Sequence, residues 1–469
     1  VTTLRSHRKA GTRGGGGTHD QDDQEGSVSS RAAWPGAAVD AALTTALRAH
    51  TAPGERVAVA LSGGIDSMVL LDALHSLAPR FALRLSAVHV NHRLSPQAGR
   101  WAEFCAEACA TRGVPLEIHR VEVARRPGQS LEAAARVARY EKLLAADVDV
   151  VALAHHADDQ AETILLQLLR GAGPAGLAAM PGYRQRDAGE PALLRPMLEL
   201  PRSTLAAYAN ARGLVWVDDE SNADRRHKRN LLRIDVAPLL AEAFPGYPSV
   251  LVRAASHQAE ASDLLDELAC QDAGDTQHGL DRAALTALAP ARAGNLLRWF
   301  LRGEGLRPPS TARLAEMLAQ LQTAGADART RILHDGAEIG CHRGRVVVHA
   351  AAAGPYARGW RGESSVELPG GILQFERTHG AGIAAAKFDV AVVTLRSRRG
   401  GERIQLAANR PQRAVKKLLY DAQLPIWRRQ ALPFIWCGEE LVAVPGIGVA
   451  LAFQAKPDEP AWSVDWRPK

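Results

Sequence analysis

The spacing of apolar and polar positions changes along the chain, and the changes divide it. Between about residues 34 and 218, short apolar runs, VAVAL (57–61), LSAVHV (85–90), LEIHRVEV (116–123) and VDVVALAH (148–155), alternate with stretches of helical spacing at 68–77, 98–112, 130–146 and 158–170. Alternation at that interval predicts an α/β domain over 34–235: a Rossmann-like, doubly wound parallel sheet with helices on both faces. Ligands of such sheets sit beyond the carboxyl ends of the strands. Three polar clusters fall at such ends: SGGIDS after the first run, VNH after the second and AHHADD after the fourth.

Beyond residue 235 the pattern becomes Ala-, Leu- and Arg-rich with helical spacing, as in SVLVRAASHQAEASDLLDELA and ARAGNLLRWFLR. This predicts a helical domain over 236–355, with a short strand RVVVH at 345–349. Glycine and polar residues then accumulate in AAAGPYARGWRGESS, which predicts a linker over 356–384, and 385–469 reads as a small α+β domain. Residues 1–33, with GTRGGGGTHDQDDQEGSVSS and no apolar periodicity, predict a disordered tail.

Composition narrows the class. The 469 residues suffice for two to four domains, and 46% hydrophobic with 23% charged residues indicates a globular chain. No apolar run reaches the ~18 residues that span a bilayer, so no membrane partner is expected. The five cysteines include no C-x-x-C pair, which excludes a zinc ribbon and a thioredoxin-like motif and suits a reducing, cytoplasmic setting. Cys105 and Cys109, four apart in a helical stretch, read as small apolar residues of its buried face. The net charge of +6 is concentrated: ten Lys or Arg lie between Arg396 and Arg429, opposed there only by Glu402 and Asp421. That density points to a polyanion such as nucleic acid. Tyr420 and Trp427 within it offer either base-stacking surfaces or core packing.

The segment VAVALSGGIDSMVLLD has the form strand, glycine turn, helix. Ser62-Gly63-Gly64-Ile65-Asp66-Ser67 can therefore present backbone N–H groups to an anion, with both glycines free to take positive φ and the serines adding hydroxyls. A helix dipole alone does not select a carboxylate beside phosphate, so Asp66 suggests a bridging Mg²⁺. No G-x-x-x-x-G-K-[ST] string occurs. The pattern resembles the PP-loop of the N-type ATP pyrophosphatases, which implies ATP cleavage between the α and β phosphates and adenylation of a substrate oxygen.

The other clusters are read by their spacing. His89 and His92, three apart on an extended strand, point to opposite faces, so nucleotide contact or loop hydrogen bonding fits His89 and Asn91 better than zinc. Asp159 and Glu162, three apart at a helix start, share a face and can hold Mg²⁺, orient an amine, or simply cap the helix. Gly171–Gly176 matches G-x-G-x-x-G but follows a helix, so it reads as a helix-ending loop. Ser130 opens SLEAAARVARYEKL, where Arg136 and Arg139 share a face and Arg139 can meet a phosphate, a carboxylate or a surface partner. The acidic turn Asp218–Asn222 precedes RRHKRNLLR (225–233), which suits a lid over nucleotide and RNA, or a solvated face.

Taken together, SGGIDS, HVNHRLSPQA, SLEAAARVARY, AHHADDQAETILLQLLRGAGPAGL, DESNADRRHKRNLLR and the module around RRGGERIQL resemble the bacterial tRNA(Ile)-lysidine synthetases. The resemblance runs from about residue 57 to 446, is weak in the middle and absent from 1–33. It implies ligation of L-lysine to the wobble cytidine of tRNA(Ile) with a CAU anticodon, changing the codon read from AUG to AUA. ATP is the implied cosubstrate and Mg²⁺ the implied cofactor; a homodimer is one assembly the sequence allows, and it leaves the oligomeric state open. Ser62, Gly63, Gly64, Asp66 and Ser67 would hold pyrophosphate, Asp66 through Mg²⁺. Asp159 or Glu162 would bind the lysine ammonium, and Arg139 and Arg229 would offset charge on phosphates or RNA. The helical and C-terminal domains would recognise the tRNA body. A tRNA thiolase, an amide-forming PP-loop enzyme acting on a small molecule and an inert RNA-binding relative are the rivals. The missing C-x-x-C, the basic terminal module and the intact polar clusters count against them in turn.

Overall fold

The computed structural model describes residues 34–123, 131–185, 189–218, 224–323, 330–351, 354–389 and 392–468. The tail 1–33, Ser130 and most of the acidic turn before Asp224 lie outside them. The chain forms two compact units, residues 1–259 and 260–469.

The first unit runs α1 (Ala37–His50), β1 (Arg56–Ala60), α2 (Ile65–Leu77), β2 (Arg84–Asn91), α3 (Ala98–Thr111), β3 (Leu116–Arg120), α4 (Leu131–Leu144), β4 (Val150–Ala152), α5 (Ala157–Leu168), α6 (Pro174–Leu177), β5 (Tyr183–Arg184), β6 (Ala192–Leu194), α7 (Arg202–Ala211) and α8 (Lys228–Leu231). The six strands are ordered β3-β2-β1-β4-β6-β5. Every pairing is parallel except that of β5 with β6 at the edge.

The two-residue period of the strands divides the core between the faces. Val57 and Val59 of β1, Val150 and Ala152 of β4, and Ala192 and Leu194 of β6 pack with Leu43, Leu47, Leu70, Leu74, Cys105, Leu205 and Tyr208. The intervening Ala58, Val151 and Leu193 pack with Leu143 of α4 on the other face. Cys105 and Cys109 are buried as expected, and burial pushes the Cys105 thiol up to about 12. Strand order reverses between β1 and β4, so their carboxyl ends flank the crevice where doubly wound sheets bind ligands.

In the second unit, helices Arg282–Ala287, Pro290–Gly303 and Thr311–Thr323 share a core with a four-stranded sheet that includes the expected strand at Arg345–Ala350. The stretch 356–384, expected to be a linker, is built of strands. Ala357–Trp360 pairs with Val393–Arg396, while Ser365–Leu368 and Ile383–Ala384 join the sheet of Gly371–His379 and Pro460–Pro468. Alternate side chains, Val366, Leu368, Leu373 and Phe375, enter a core with Trp360, Phe388 and Trp462. That burial converts a glycine-rich sequence into sheet.

Candidate active site

At the end of β1 the chain turns through Ser62, Gly63 and Gly64 into α2. Gly63 has φ +87°, and a Cβ there would come within 2.9 Å of Val217 Cγ2 and 3.2 Å of Cys105 Sγ, so the position admits only glycine. Gly64, expected to be free for positive φ as well, instead has φ −73° as the helix N-cap. Ser67 Oγ accepts from the N–H groups of Ser62 (3.2 Å) and Gly63 (3.1 Å) and donates to the Gly64 carbonyl (2.9 Å). The Ser67 hydroxyl, expected to face pyrophosphate, is buried and closes the loop on itself. A helix leaves its first N–H groups without internal acceptors, so the first turn of α2 offers amides that suit an anion.

Asp66 lies in that first turn, its Oδ1 buried without a hydrogen-bond partner and 3.9 Å from Arg202 Nε. A hard oxygen with unused lone pairs fits Mg²⁺, which takes one or two carboxylates and completes its shell with phosphates and water. Among the described residues no three His, Cys, Asp or Glu side chains form a metal cluster, so such an ion would rest on Asp66 and the substrate phosphates.

The end of β4 supplies the second half of the crevice. His156 is the N-cap of α5, and its Nε2 lies 3.6 Å from Asp66 Oδ2 and 3.3 Å from Asp159 Oδ2. Desolvation opposes its charge, yet Asp158, Asp66 and Asp159 together raise its pKa to about 9. Its neighbour His155 behaves oppositely. Desolvation, reinforced by the charges of Arg195, Arg139 and Arg229, lowers its pKa to about 3, and its Nδ1 is buried without a partner.

Asp159 and Glu162 fall on one face of α5, and both meet arginines. Arg229 Nε donates to Glu162 Oε2 at 2.6 Å and its Nη2 reaches Asp159 Oδ1 at 3.1 Å. Arg233 Nε donates to Glu162 Oε1 at 2.7 Å, and its Nη2 reaches Asp159 Oδ1 at 3.2 Å. Desolvation would raise the Asp159 pKa, but His156 and Arg229 hold it below the usual carboxylate range. Arg229 and Arg233 come from consecutive helical turns, α8 and a π-helical turn at Leu232–Val236, an element that recurs at functional sites.

Arg139 belongs to the same cationic neighbourhood: desolvation, then Arg136 and Arg229, lower its pKa. His89 and Asn91 are buried and serve the loops. His89 Nδ1 bonds the Leu61 carbonyl at 2.8 Å, while Asn91 accepts from Arg93 N–H and donates to the Ala98 carbonyl. Sequence reasoning did not single out His156, Arg233, Arg202 or Arg195. Arg233 was visible as the i+4 partner of Arg229 in RNLLR, whereas nothing in HHADD distinguishes the charged histidine from the neutral one.

In the second unit, Tyr420 is 64% exposed with the Arg429 guanidinium 5.4 Å from its ring. Trp427 is half-buried and stacks on His349 at 4.4 Å.

Three family descriptions match the chain: "PP-loop domain" over residues 38–240, "TilS substrate binding domain" over 280–347 and "TilS substrate C-terminal domain" over 393–466. The chain is 44% identical over 430 residues to the tRNA(Ile)-lysidine synthase of Nitrosomonas europaea, covering 90% of this chain and 94% of that one. It is 45% identical over 422 residues to that of Chromobacterium violaceum, covering 87% and 95%.

Proposed function

The chain belongs to the tRNA(Ile)-lysidine synthase family, and from that premise we propose how its crevice attaches L-lysine to the wobble cytidine of tRNA(Ile). The enzyme uses ATP and tRNA(Ile). The observation that carries the reading is that Asp66, on the glycine turn, and Asp159, on α5, both approach one imidazole nitrogen of His156. A phosphate-binding loop and an amine-binding carboxylate pair therefore serve one reacting centre.

In the first step the cytosine C2 oxygen attacks the α-phosphate of ATP, and pyrophosphate leaves. The backbone of Ser62 to Asp66 faces the departing phosphates, and Asp66 would hold Mg²⁺ against them. When bound, that ion neutralises charge developing on the leaving group. The charged His156 keeps Asp159 ionised and stands 3.6 Å from Asp66. Arg139 offsets charge on the phosphates or RNA.

In the second step the lysine ε-amine attacks C2 and AMP leaves. The amine has a pKa of about 10.4 and must lose its proton first. Asp159 and Glu162 are the carboxylates for the ammonium, and Arg229 and Arg233 now occupy them. Lysine entry exchanges one cation for another, which releases Arg229 toward phosphate or RNA. His155, whose pKa burial and the neighbouring arginines lower to about 3, stays neutral and is too weak a base to hold the amine's proton. A wobble base is already single-stranded, so presenting it costs less than flipping a paired base. Incubation with ATP, labelled lysine and bulk tRNA tests the reading, and label that stays out of RNA contradicts it.

A further inference from the structure

Beside the carboxylate cluster, on the α4 face of the sheet, lies an open depression of about 350 Å³ lined by Arg136, Val137, Tyr140, Arg184, Leu193 and Arg195. Three of the six described lining residues are arginines, and none of the six is a carboxylate. Arg195, which follows β6, is only 7% exposed. Its Nη1 donates to the Pro181 carbonyl at 2.8 Å, but its Nε is buried without a hydrogen-bond partner. Arg184 Nε is likewise buried and unpartnered, although Arg184 Nη2 reaches Glu190 at 3.3 Å, and the buried Tyr140 Oη has the Arg195 guanidinium near it. The Arg136 guanidinium sits 5.1 Å from the Tyr140 ring. Buried guanidinium and hydroxyl donors without acceptors are costly, and an oxyanion with several lone pairs satisfies them together.

We propose that this depression is a subsite for a backbone phosphodiester of the RNA substrate, next to the base being modified. The inference rests on the function proposed above. An oxyanion could also come from ATP or from the lysine α-carboxylate, but the ATP phosphates have their own loop at α2. That helix packs on the opposite face of the sheet from Leu193 and α4. Three converging arginines suit a phosphodiester, whose contacts position RNA without reading sequence. The depression also adjoins the crevice, since β6 pairs with β4 at Leu194 and Ala152, just before Arg195 and His155.

The test measures tRNA binding without ATP or lysine, as a function of KCl, for the wild-type chain, Arg136→Gln and Arg195→Gln. Loss of a phosphate contact predicts a several-fold weaker Kd and a salt slope shallower by about 0.7–0.9. Arg136→Lys restores most of the slope. An anticodon stem-loop carrying one methylphosphonate beside the target cytidine binds the wild type as weakly as the unmodified RNA binds Arg136→Gln, with no further loss in the variant. Wild-type affinity and slope in folded Arg136→Gln overturn the inference. A raised KM for ATP or lysine with unchanged tRNA binding overturns it too, assigning the site to a small anion. Arg136 is exposed and tests the idea even if Arg195→Gln fails to fold. Failure of the wild type to make lysidine would instead overturn the proposed function, because this binding assay needs no turnover.

Discussion

His156 Nε2 stands 3.6 Å from Asp66 Oδ2, joining a residue at the end of β4 to the first turn of the helix that follows β1. The two strands are neighbours where the sheet order reverses, so a contact distant in sequence becomes the centre of the crevice. Asp66→Ala is expected to lower pyrophosphate release by ~10²-fold or more, the scale of losing one group that stabilises transition-state charge. Its thermal unfolding should stay close to wild type. Turnover like the wild type would remove Asp66 from the metal and phosphate chemistry.

Glu162→Gln leaves Arg229 and Arg233 facing a neutral amide in a buried position. The expected cost is about 2 kcal/mol of stability from weakened charged hydrogen bonds. The KM for lysine should rise at least tenfold while lysine-independent adenylation continues. Equal losses in both steps, seen by following AMP and pyrophosphate separately, would argue against an amine-binding role.

The histidine pair predicts a pH dependence of stability. His156 has a folded pKa of about 9, above the ordinary 6.5, so its contribution is complete below about pH 6.5 and lost as pH rises through 9. His155, lowered to about 3, contributes nothing above pH 6.5 and destabilises the fold as pH falls below it. Denaturant melts in chelator-containing buffer should therefore show stability falling between pH 6.5 and 9. His156→Gln should flatten that decline, and an unchanged slope in the variant would contradict the charged imidazole.

Trp360→Ala tests the strands at 356–384. Trp360 is 9% exposed and packs on Phe375, Phe388 and Trp462. Truncation should cost about 3–5 kcal/mol, measured by denaturation. A linker tryptophan would cost almost nothing.

The sheet and the glycine turn were legible because their chemistry is local. An apolar run followed by Ser-Gly-Gly and a helical repeat needs no distant partner to be read. The strands at 356–384 were hidden by glycine and proline. Leu368-Pro369-Gly370-Gly371 is itself a hairpin signal, and Val366 and Leu368 alternate with Leu373 and Phe375 across it. The pairing of Glu162 with Arg229 and Arg233 was not legible, since it depends on where α8 returns to α5. Both serines of the loop looked equivalent in sequence, and only the fold turns the Ser67 hydroxyl inward.

The most direct measurement incubates the protein with ATP, labelled lysine and, in parallel, tRNA(Ile) or methionine tRNA, each with a CAU anticodon. The account predicts label in tRNA(Ile) at the wobble cytidine, with one AMP and one pyrophosphate released per lysine, and almost none in methionine tRNA. AMP and pyrophosphate released without lysine entering tRNA(Ile) would contradict it.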